Sequence, residues 1–332
     1  MKAFVLCRYG KRPLRLMEVP TPELRNDEVL VQVHAAGVNQ LDARVRDGEF
    51  KLFLPYRMPL ILGHDVAGEV VKVGPRVQQF KAGDQVYARL DDFRIGAFAE
   101  LVPVKEASLA MKPAGLTMEE AASVPLVGLT AWQALVDKAR LTEGQKVFIQ
   151  AGSGGVGTIA IQLAKHLGAT VATTTSAANV ALVKSLGADV VIDYKTQDFE
   201  DVLRNYDVVL NSHDGKTLEK SLRVLKAGGK VISISGPLDP AFAKSLGAPW
   251  YLKLAMRLIS SGVRRRARKL GIGYSFLFMK TDGRRLRELT HLFDAGVMRA
   301  VIDRVFPFES TNEAIAYVES GRAKGKVVIK VR

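Results

Sequence analysis

The sequence has little of three features that would each define a class of protein. It contains one cysteine, Cys7, among 332 residues, which excludes an internal disulfide framework and any metal site built from several thiolates of one chain. The N-terminal apolar run Ala3–Cys7 is shorter than the core of a signal peptide, which takes roughly 7–15 residues. The most apolar stretch, Leu246–Val263, is interrupted by Lys253 and Arg257, whereas a spanning helix needs about 20 mostly apolar residues. We therefore expect a cytoplasmic protein with no spanning helix.

Positive charge, by contrast, is plentiful. The chain has 48 Lys and Arg against 34 Asp and Glu, a formal net charge of +14, which favours anionic partners in general. The densest basic cluster, Arg264–Lys269, has no interleaved aromatic residues, and the sequence carries no zinc-finger or RNA-binding signature, so we expect no nucleic-acid partner. We interpret the cluster as a solvated helix end. The alternative is weak peripheral contact with a membrane through the apolar and basic residues of Leu246–Lys269.

Two textures of sequence alternate along the chain. The first third and the tail are rich in short strand-like runs with glycine and proline turns, which is typical of a barrel or sandwich. These runs include Val29–Ala35, Asp65–Val73, Gln85–Ala88, Val301–Phe306 and Lys326–Val331. We predict a β-rich domain over residues 1–123, a dinucleotide-binding domain over 124–297 and a return to the first domain over 298–332.

In the middle of the chain, strands and helices alternate, which predicts an α/β fold with a doubly wound parallel sheet, because parallel strands need crossover helices. The predicted strands are Val147–Ala151, Thr170–Thr175, Val190–Asp193, Asp207–Asn211, Lys230–Ser235 and Tyr274–Met279. The predicted helices between them include Val156–Leu167, Asn179–Leu186 and Leu218–Leu225.

A glycine-rich turn joins the first of these strands to the first helix. Gly152, Gly154 and Gly157 fit the pattern G-x-G-x-x-G, with Ser153, Gly155 and Val156 between them. One glycine allows the tight turn, one lets backbone amides approach a pyrophosphate, and the third permits close contact between helix and strand. Because a strand precedes the turn and a helix follows it, we predict a dinucleotide site.

The end of the second strand indicates which dinucleotide binds. An NAD site usually has Asp or Glu there, about 20 residues beyond the glycines, to hold the ribose hydroxyls. The segment Thr173–Asn179 contains no carboxylate, and its Ser176 and Asn179 offer hydroxyl and amide donors to a 2′-phosphate. We therefore predict NADP(H) as the cofactor rather than NAD(H).

Several stretches from both domains resemble one enzyme superfamily. Gly63–Gly74 together with the glycine turn resembles the medium-chain dehydrogenase/reductase superfamily, and other stretches resemble its zinc-independent quinone oxidoreductase branch. The latter are Ala36–Asp42, Gly96–Glu100, Pro125–Gln133, Gly187–Asp189 and Gly325–Val328. Tyr274–Met279 and the helix before it look most like reticulon-interacting mitochondrial reductases and chloroplast envelope quinone oxidoreductase homologues. The resemblance implies a Rossmann sheet inserted in a GroES-like catalytic domain, and a homodimer.

The resemblance also bears on zinc. Zinc members of the superfamily carry a cysteine shortly before the Gly-His motif and a lobe of four clustered cysteines. Asn39 and Asp42 occupy the region of that cysteine here, and the lobe is missing. His64 alone does not make a zinc site, so we expect no metal and interpret His64 as a hydrogen-bonded histidine near the domain cleft.

Without zinc, the chemistry left is hydride transfer to an acceptor that is already electrophilic, an α,β-unsaturated carbonyl or a quinone. The resemblance implies that Asn39, His64 and Thr130 lie near the nicotinamide. Arg44 stands where several quinone oxidoreductases have a tyrosine; a guanidinium can clamp an anionic enolate but cannot donate its proton. The alternative for Arg44 is an exposed helix residue, and water remains the expected proton source.

Further cofactor contacts are implied position by position. The amides of Gly155 and Val156 are expected to face the pyrophosphate, and Tyr194 resembles the tyrosine that packs near the adenosine 2′-phosphate. Strand ends at the carboxyl edge of the sheet, where ligands bind in such folds, contribute Ser212, Ser235 and Gly236. Three further residues resemble family elements that reach the nicotinamide half of the cofactor: Phe276, Phe278 and Lys326. For the two phenylalanines, packing in the core is the alternative.

The leading hypothesis is therefore an NADPH-dependent, zinc-independent reductase of enones, alkenals or quinones. The alternative hypothesis is a protein that keeps the NADPH site but acts as a redox-responsive interaction partner with little turnover.

Overall fold

A computed structural model describes residues 1–52, 54–245, 247 and 249–332. Within these residues the chain forms sixteen strands: β1 Lys2–Leu6, β2 Arg15–Glu18, β3 Glu28–Val38, β4 Leu60–Ile61, β5 Asp65–Val73, β6 Gln85–Arg89, β7 Leu101–Lys105, β8 Leu109–Met111, β9 Lys146–Ile149, β10 Thr170–Thr175, β11 Val190–Asp193, β12 Tyr206–Asn211, β13 Leu225–Ser233, β14 Gly273–Phe276, β15 Ile302–Pro307 and β16 Lys326–Lys330.

The same residues form twelve α-helices: α1 Gln40–Asp47, α2 Met118–Ala122, α3 Pro125–Trp132, α4 Gly155–His166, α5 Val180–Ser185, α6 Phe199–Val202, α7 Gly215–Arg223, α8 Pro240–Ser245, α9 Trp250–Ile259, α10 Ser261–Lys269, α11 Gly283–Asp294 and α12 Thr311–Glu319. A π-helical segment, Gln133–Ala139, continues α3. None of the described helices is both long and apolar enough to cross a membrane. In the segment considered for membrane contact, Leu246 and Ala248 lie outside the described residues.

The chain divides into two compact units. The first unit is Met1–Leu129 with Lys280–Arg332, and the second unit is Thr130–Met279. The second unit is thus inserted into the first, but it begins six residues later than the predicted 124 and ends at 279 instead of the predicted 297.

The difference at the C-terminal boundary comes from α11, which packs on the first unit. The Tyr87 hydroxyl donates to the Leu286 carbonyl oxygen at 2.8 Å, and Thr290 Oγ1 donates to the Met111 carbonyl oxygen at 3.0 Å. A Cβ on Gly283 would lie 2.4 Å from the Leu109 carbonyl oxygen, so the helix backbone lies directly against the chain there. The sequence of α11 shows that one face is apolar but not which sheet that face covers.

The first unit is β-rich, as its sequence predicts. A seven-stranded sheet has the order β15-β16-β3-β5-β6-β8 with β7 also paired to β3, and a three-stranded sheet has the order β2-β1-β4. The long strand β3 is buried along most of its length because it pairs with three other strands. Its last residues pair Gly37 with Asp65 of β5 and Val38 with Val327 of β16. This register brings the ends of three sequence-distant strands together.

The second unit confirms the predicted doubly wound sheet. Its six strands are all parallel, in the order β11-β10-β9-β12-β13-β14, and the order reverses between β9 and β12. In a sheet of this kind, ligands bind outside the carboxyl ends of the strands at the point of reversal. Strands β10 and β11 have the predicted bounds.

Several other predicted bounds in the second unit are shifted, most clearly both bounds of one helix. The helix predicted as Leu218–Leu225 is α7, which starts at Gly215 because the Asp214 side chain accepts from the Thr217 amide and caps it. Leu225 instead begins β13, where it pairs with Tyr206. Leucine suits either structure when half-buried, so the pattern alone cannot place this transition.

Candidate functional site

The glycine turn of the second unit occupies residues 151–157, between β9 and α4. The amide of Gly152 donates to the Thr174 carbonyl oxygen at 2.9 Å. A Cβ at Gly152 would lie 2.1 Å from Thr173 Oγ1, and a Cβ at Gly157 would lie 2.3 Å from the Ala151 carbonyl oxygen. Both positions therefore require glycine on steric grounds, as the motif predicts.

The start of α4 fits a pyrophosphate. Gly154 is the N-cap residue and has no side chain to bond the first amides of this twelve-residue helix. The first amides of an α-helix have no partner inside the helix, and the helix dipole favours an anion beside them. The amides of Gly155 and Val156 belong to this first turn.

A cluster of uncharged donors, the hydroxyl–amide cluster, lies where β10 ends. Ser153 Oγ accepts from Thr175 Oγ1 at 2.9 Å and from Asn179 Nδ2 at 3.3 Å, and the same Nδ2 lies 3.4 Å from Ser176 Oγ. Ser176 and Asn179 are half-buried, so solvent reaches them. A 2′-phosphate here would meet hydroxyl and amide groups and no carboxylate from this cluster. Beside it, Tyr194 is exposed and its amide donates to the Thr175 carbonyl oxygen.

The carboxyl ends of β12 and β13 hold a buried hydrogen-bond network, of which Ser212 but not Gln150, Asn211 or Ser233 was a predicted site residue. Asn211 Nδ2 donates to Gln150 Oε1 at 2.8 Å, and Ser233 Oγ donates to Asn211 Oδ1 at 2.6 Å. The Ser212 amide also donates to Gln150 Oε1, and its buried Oγ has no hydrogen-bond partner among the described residues. The signal was available, because each of these polar residues lies within two residues of the carboxyl end of a predicted parallel strand.

The remaining predicted residues of the second unit have local partners. Ser235 Oγ donates to the His213 carbonyl oxygen at 2.6 Å, and the Gly236 amide donates to Ser233 Oγ at 2.8 Å. The side chain of Thr130 is buried in α3. Phe276 and Phe278 both pack against Phe242, with ring centroids 5.3 and 5.4 Å away. This packing agrees with the core interpretation of the two phenylalanines.

In the first unit, the register of β3, β5 and β16 builds a second polar cluster, the charged cluster. Asn39, Asp42, His64, Asp65 and Lys326 are all buried. Asn39 Nδ2 donates to Asp65 Oδ2 at 3.0 Å, and Lys326 Nζ donates to Asn39 Oδ1. Lys326 Nζ also lies 3.3 Å from Asp65 Oδ2, so the amide of Asn39 is held between a cation and an anion.

His64 is held by a carboxylate in the same cluster. Its Nδ1 lies 2.5 Å from Asp42 Oδ1, and both side chains have zero exposure. Asp42 Oδ2 accepts from the Asn39 amide at 2.8 Å, which fixes the carboxylate at the start of α1. Since a carboxylate accepts hydrogen bonds, Nδ1 carries a proton, and the neutral ring keeps its lone pair on Nε2. That Nε2 is buried and has no partner among the described residues.

The Asp65 carboxyl group is the electrostatic centre of the charged cluster. Complete burial raises the pKa of Asp65, and the charge of Lys326 and the hydrogen bond from Asn39 oppose that rise. The Leu126 amide donates to Asp65 Oδ1 at 2.9 Å, so both carboxyl oxygens have partners. Asp42 and Asp65 were missing from the predicted site residues, although Asp42 stands three residues after Asn39, at the position where a capping residue is expected.

Comparisons with known proteins support the assignment of a GroES-like part and a dehydrogenase part in this chain. The family model of the alcohol dehydrogenase GroES-like domain matches residues 25–114, and that of the zinc-binding dehydrogenases matches residues 186–329. NAD(P)H oxidoreductase RTN4IP1, mitochondrial, from Danio rerio is 36% identical over 356 aligned residues that cover 100% of this chain and 91% of the relative. The chain belongs to the quinone oxidoreductase branch of the medium-chain dehydrogenase/reductase superfamily.

Two further comparisons extend this assignment. The NADPH-dependent alkenal/one oxidoreductase, chloroplastic, from Arabidopsis thaliana is 35% identical over 341 residues, with 99% of this chain and 79% of the relative covered. A solved structure of a quinone oxidoreductase from Coxiella burnetii superimposes with a TM-score of 0.87 at 32% identity, covering 100% of this chain and 99% of that one. The resemblance inferred from the motifs is thereby confirmed.

One of the matching family models is named for zinc-binding dehydrogenases, but this chain lacks the usual zinc ligands of that group. It has a single cysteine, and the one histidine of the Gly-His motif has Nδ1 engaged by Asp42. Across the described residues, no group of three or more His, Cys, Asp or Glu side chains is arranged to hold a metal ion. Zinc independence stays the expectation drawn from the sequence, in which one histidine without thiolate partners does not make a zinc site.

Arg44 is the predicted site residue that stands apart from the charged cluster. It lies on the exposed side of α1, where its Nε bonds Glu49 Oε2 at 2.7 Å. Its guanidinium also lies 5.1 Å from the centre of the Phe50 ring. An ion pair at this exposure contributes little to stability, and the arrangement fits the exposed-residue alternative better than an enolate clamp.

Proposed function

We propose that this chain is an NADPH-dependent oxidoreductase that reduces α,β-unsaturated carbonyl compounds or quinones without zinc. The observation that carries the proposal is the pairing of the sterically required glycine turn with the uncharged hydroxyl–amide cluster at the end of β10. The names of the relatives, an alkenal/one oxidoreductase and a quinone oxidoreductase, support the same acceptor classes.

The residues of the second unit hold the cofactor. Glycines at 152 and 157 keep side chains out of the turn, and the first amides of α4 bind the pyrophosphate. Ser153, Ser176 and Asn179 donate hydrogen bonds to the 2′-phosphate, whose negative charge meets no carboxylate in the cluster. Tyr194, exposed beside the cluster, is positioned to pack against the adenosine half. Bound NADPH would supply the hydride, and an acceptor that is already activated by conjugation needs no electrophilic metal to polarise it.

The family resemblance implies that Asn39 and His64 lie near the nicotinamide, so we infer that the charged cluster takes part in the reaction. Asn39 is saturated by Asp65 and Lys326, so its role is to be held rigidly rather than to bond a substrate. His64 Nε2 is the open atom of the cluster; it accepts a hydrogen bond when the ring is neutral and donates one when the ring is protonated. An acceptor activated by its own conjugation then needs only position and a proton, which water supplies.

Turnover separates this proposal from the interaction-protein alternative. The protein is incubated with NADPH and a panel of enones, alkenals and quinones, and the absorbance of the reduced nicotinamide is followed. We expect oxidation of NADPH with members of the panel. Tight NADPH binding without turnover on any acceptor would favour the interaction protein, and a calorimetric titration with no heat or saturation would overturn the cofactor assignment.

His64→Gln is the sharpest variant for the role of the charged cluster. It removes the Nε2 lone pair, so we expect a lower kcat with NADPH affinity nearly unchanged. Gln40→Ala serves as the matched control, since Gln40 is exposed at the start of α1 and bonds the Val318 carbonyl oxygen rather than the cluster. Equal kcat values for wild type and His64→Gln would remove His64 from the site.

Two finer proposals rest on the family resemblance. We propose a homodimer joined through β14, an edge strand that pairs with β13 on one side, to be checked by sedimentation velocity. The cytoplasmic location also remains a proposal, since the relatives named here are mitochondrial and chloroplastic. Cell fractionation with an antibody to the chain tests it, and recovery in an organelle would overturn it.

A further inference from the structure

Two consecutive helices of the second unit, α9 and α10, form a surface that we call the basic–apolar patch. Its exposed apolar side chains are Trp250, Tyr251, Leu254, Leu258 and Ile259. Trp250 is 75% exposed and Ile259 66% exposed, values far above those of core residues. Large apolar side chains exposed singly are normal, but five on one ten-residue helix mark an interaction surface.

The exposed apolar side chains of α9 lie on a different side of the helix from its buried residue. Residues 250, 254 and 258 are four apart and line one side of the helix, since each residue advances about 100°. Met256, on a different side, is 2% exposed and anchors the helix to the unit. The apolar stripe therefore faces solvent while a separate face packs inward.

The charge around the stripe has a single sign. Residues 240–281 contain no Asp or Glu, although the whole chain has 34. Their cations are Lys244, Lys253, Arg257, Arg264, Arg265, Arg266, Arg268, Lys269 and Lys280. In the described part of the chain, Arg266 pairs with Glu219, whereas the other cations of α9 and α10 make no ion pair. The cations of α9 and α10 other than Arg266 thus belong to the same two helices as the exposed apolar side chains.

An anionic lipid surface satisfies both properties at once. Amphipathic helices with Trp and Leu on one face and Lys or Arg around it lie in the membrane interface, with the apolar face in the headgroup–acyl boundary. Each Lys or Arg near an anionic bilayer adds about 1 kcal/mol of attraction. Trp250 and Tyr251 suit the headgroup level, where aromatic rings with a polar edge concentrate.

The same features disfavour two other occupants. A second copy of the chain would bring like charges together across a two-fold axis, and no carboxylate of residues 240–281 could compensate. A nucleic acid would neutralise the arginines but would leave Leu258 and Ile259 in water, because phosphate contacts do not dehydrate aliphatic side chains.

We propose that α9 and α10 dock the protein peripherally on anionic lipid bilayers, with the apolar stripe inserted at the interface and the arginines of α10 bound to lipid phosphates. The proposal concerns residues outside both candidate site clusters and does not depend on the proposed reaction. Docking would also place the protein where apolar quinones and enones accumulate.

Vesicle co-sedimentation tests the electrostatic half. Wild-type protein is mixed with vesicles of phosphatidylcholine and phosphatidylserine, and separately with vesicles of phosphatidylcholine alone. We expect binding to the mixed vesicles that falls with added salt, and weak binding to the neutral ones. Replacing Arg264, Arg265 and Arg268 with Gln should weaken binding by about a hundredfold, since each charge contributes about fivefold.

The matched control removes the same charge elsewhere in the second unit. Lys138, Lys184 and Lys216 are exposed and lie outside the patch, so their triple Gln variant has the same net charge as the arginine variant. Specific docking predicts that the control binds mixed vesicles almost as wild type does. Equal loss in both variants would mean attraction by overall charge and would overturn the patch.

Quenching of Trp fluorescence by brominated lipid tests the apolar half. We expect quenching in wild type that is mostly lost in Trp250→Phe, since the chain's other tryptophan is Trp132. The double variant Leu258→Ser, Ile259→Ser should also bind less, and both sites are exposed, so folding is preserved.

Three results would overturn the proposal. One is binding that is equally tight to neutral and anionic vesicles or insensitive to salt. Another is binding of DNA with no binding to vesicles. The third is concentration-dependent self-association that Leu258→Ser, Ile259→Ser abolishes, with no vesicle binding, which would make the patch an interface between copies.

Discussion

The two units each contain a cluster of polar side chains, and the two clusters differ in charge and burial. The charged cluster of the first unit holds Asp65 and Lys326 away from water, with nearly every polar atom bonded inside the protein. The hydroxyl–amide cluster of the second unit is uncharged, partly open to solvent, and joined by longer contacts such as the 3.4 Å between Asn179 and Ser176. Buried charges must be paired within the chain, whereas neutral donors at a surface remain available to an incoming anion.

The largest expected effect comes from breaking the charged cluster. Lys326→Met leaves the buried Asp65 without its cation, which should lower the free energy of unfolding of the first unit by about 3–5 kcal/mol. Denaturant unfolding measures it. Lys330→Met is the control on the same strand, because Lys330 is 58% exposed and its pair with Glu119 should be worth about 1 kcal/mol or less. Equal losses in both variants would show that Asp65 does not depend on Lys326.

The destabilisation by Lys326→Met should depend on pH. Loss of the cation raises the pKa of the buried Asp65 further above its unfolded value. A raised folded pKa contributes stability that is present below the unfolded pKa and is lost as pH rises through the folded pKa, by up to about 1.4 kcal/mol per pH unit. The variant should therefore lie closest to wild type near pH 4 and diverge toward pH 7. A difference that is constant with pH would contradict this.

A side chain in the glycine turn should act on cofactor binding. In Gly157→Ala the new Cβ overlaps the Ala151 carbonyl oxygen, so the turn and the start of α4 must shift. We expect the Kd for NADPH to rise at least about tenfold, or 1.4 kcal/mol. Gly215→Ala is the control, since nothing lies within 4 Å of its Cβ. Calorimetric titration compares the two, and unchanged affinity in Gly157→Ala would remove the turn from the site.

A carboxylate in the hydroxyl–amide cluster should invert its preference for anions. Ser176→Asp places a negative charge where the 2′-phosphate is proposed to bind, so the KM for NADPH should rise about tenfold or more while that for NADH changes little. Ser176→Ala separates the lost hydroxyl from the added charge. An equal rise for both cofactors would remove the phosphate assignment.

The smallest expected effect is at Arg44. The Arg44 guanidinium is paired with Glu49 at the surface of α1. Arg44→Gln should therefore change kcat/KM by less than about twofold and the free energy of unfolding by less than about 1 kcal/mol. Steady-state kinetics with the best acceptor of the panel checks this. A tenfold loss of kcat/KM would instead establish the enolate clamp.

What could be read from the sequence was local. The glycine turn and the missing carboxylate in Thr173–Asn179 both lie within a few residues of the features that they specify. The fold of the second unit followed from alternation alone, and β10 and β11 had the expected bounds.

What could not be read depends on contacts between distant residues. Asp65 and Lys326 are 261 positions apart, and they meet because β3 pairs with β5 on one side and with β16 on the other. Lys326 was therefore expected at the cofactor, and its bond to Asn39 came from the structure. The sheet that α11 covers could not be predicted either, because an apolar helix face does not show which surface it packs against.

The insertion of one unit inside the other has a consequence for synthesis. A growing polypeptide that has reached Met279 already contains all six strands of the parallel sheet, but it still lacks β15 and β16. Synthesis adds about 5–20 residues per second. Until Lys326 leaves the ribosome, the Asp65 carboxyl group lacks the lysine with which it pairs in the folded protein. The earliest part of the polypeptide to be made is thus among the last to be finished.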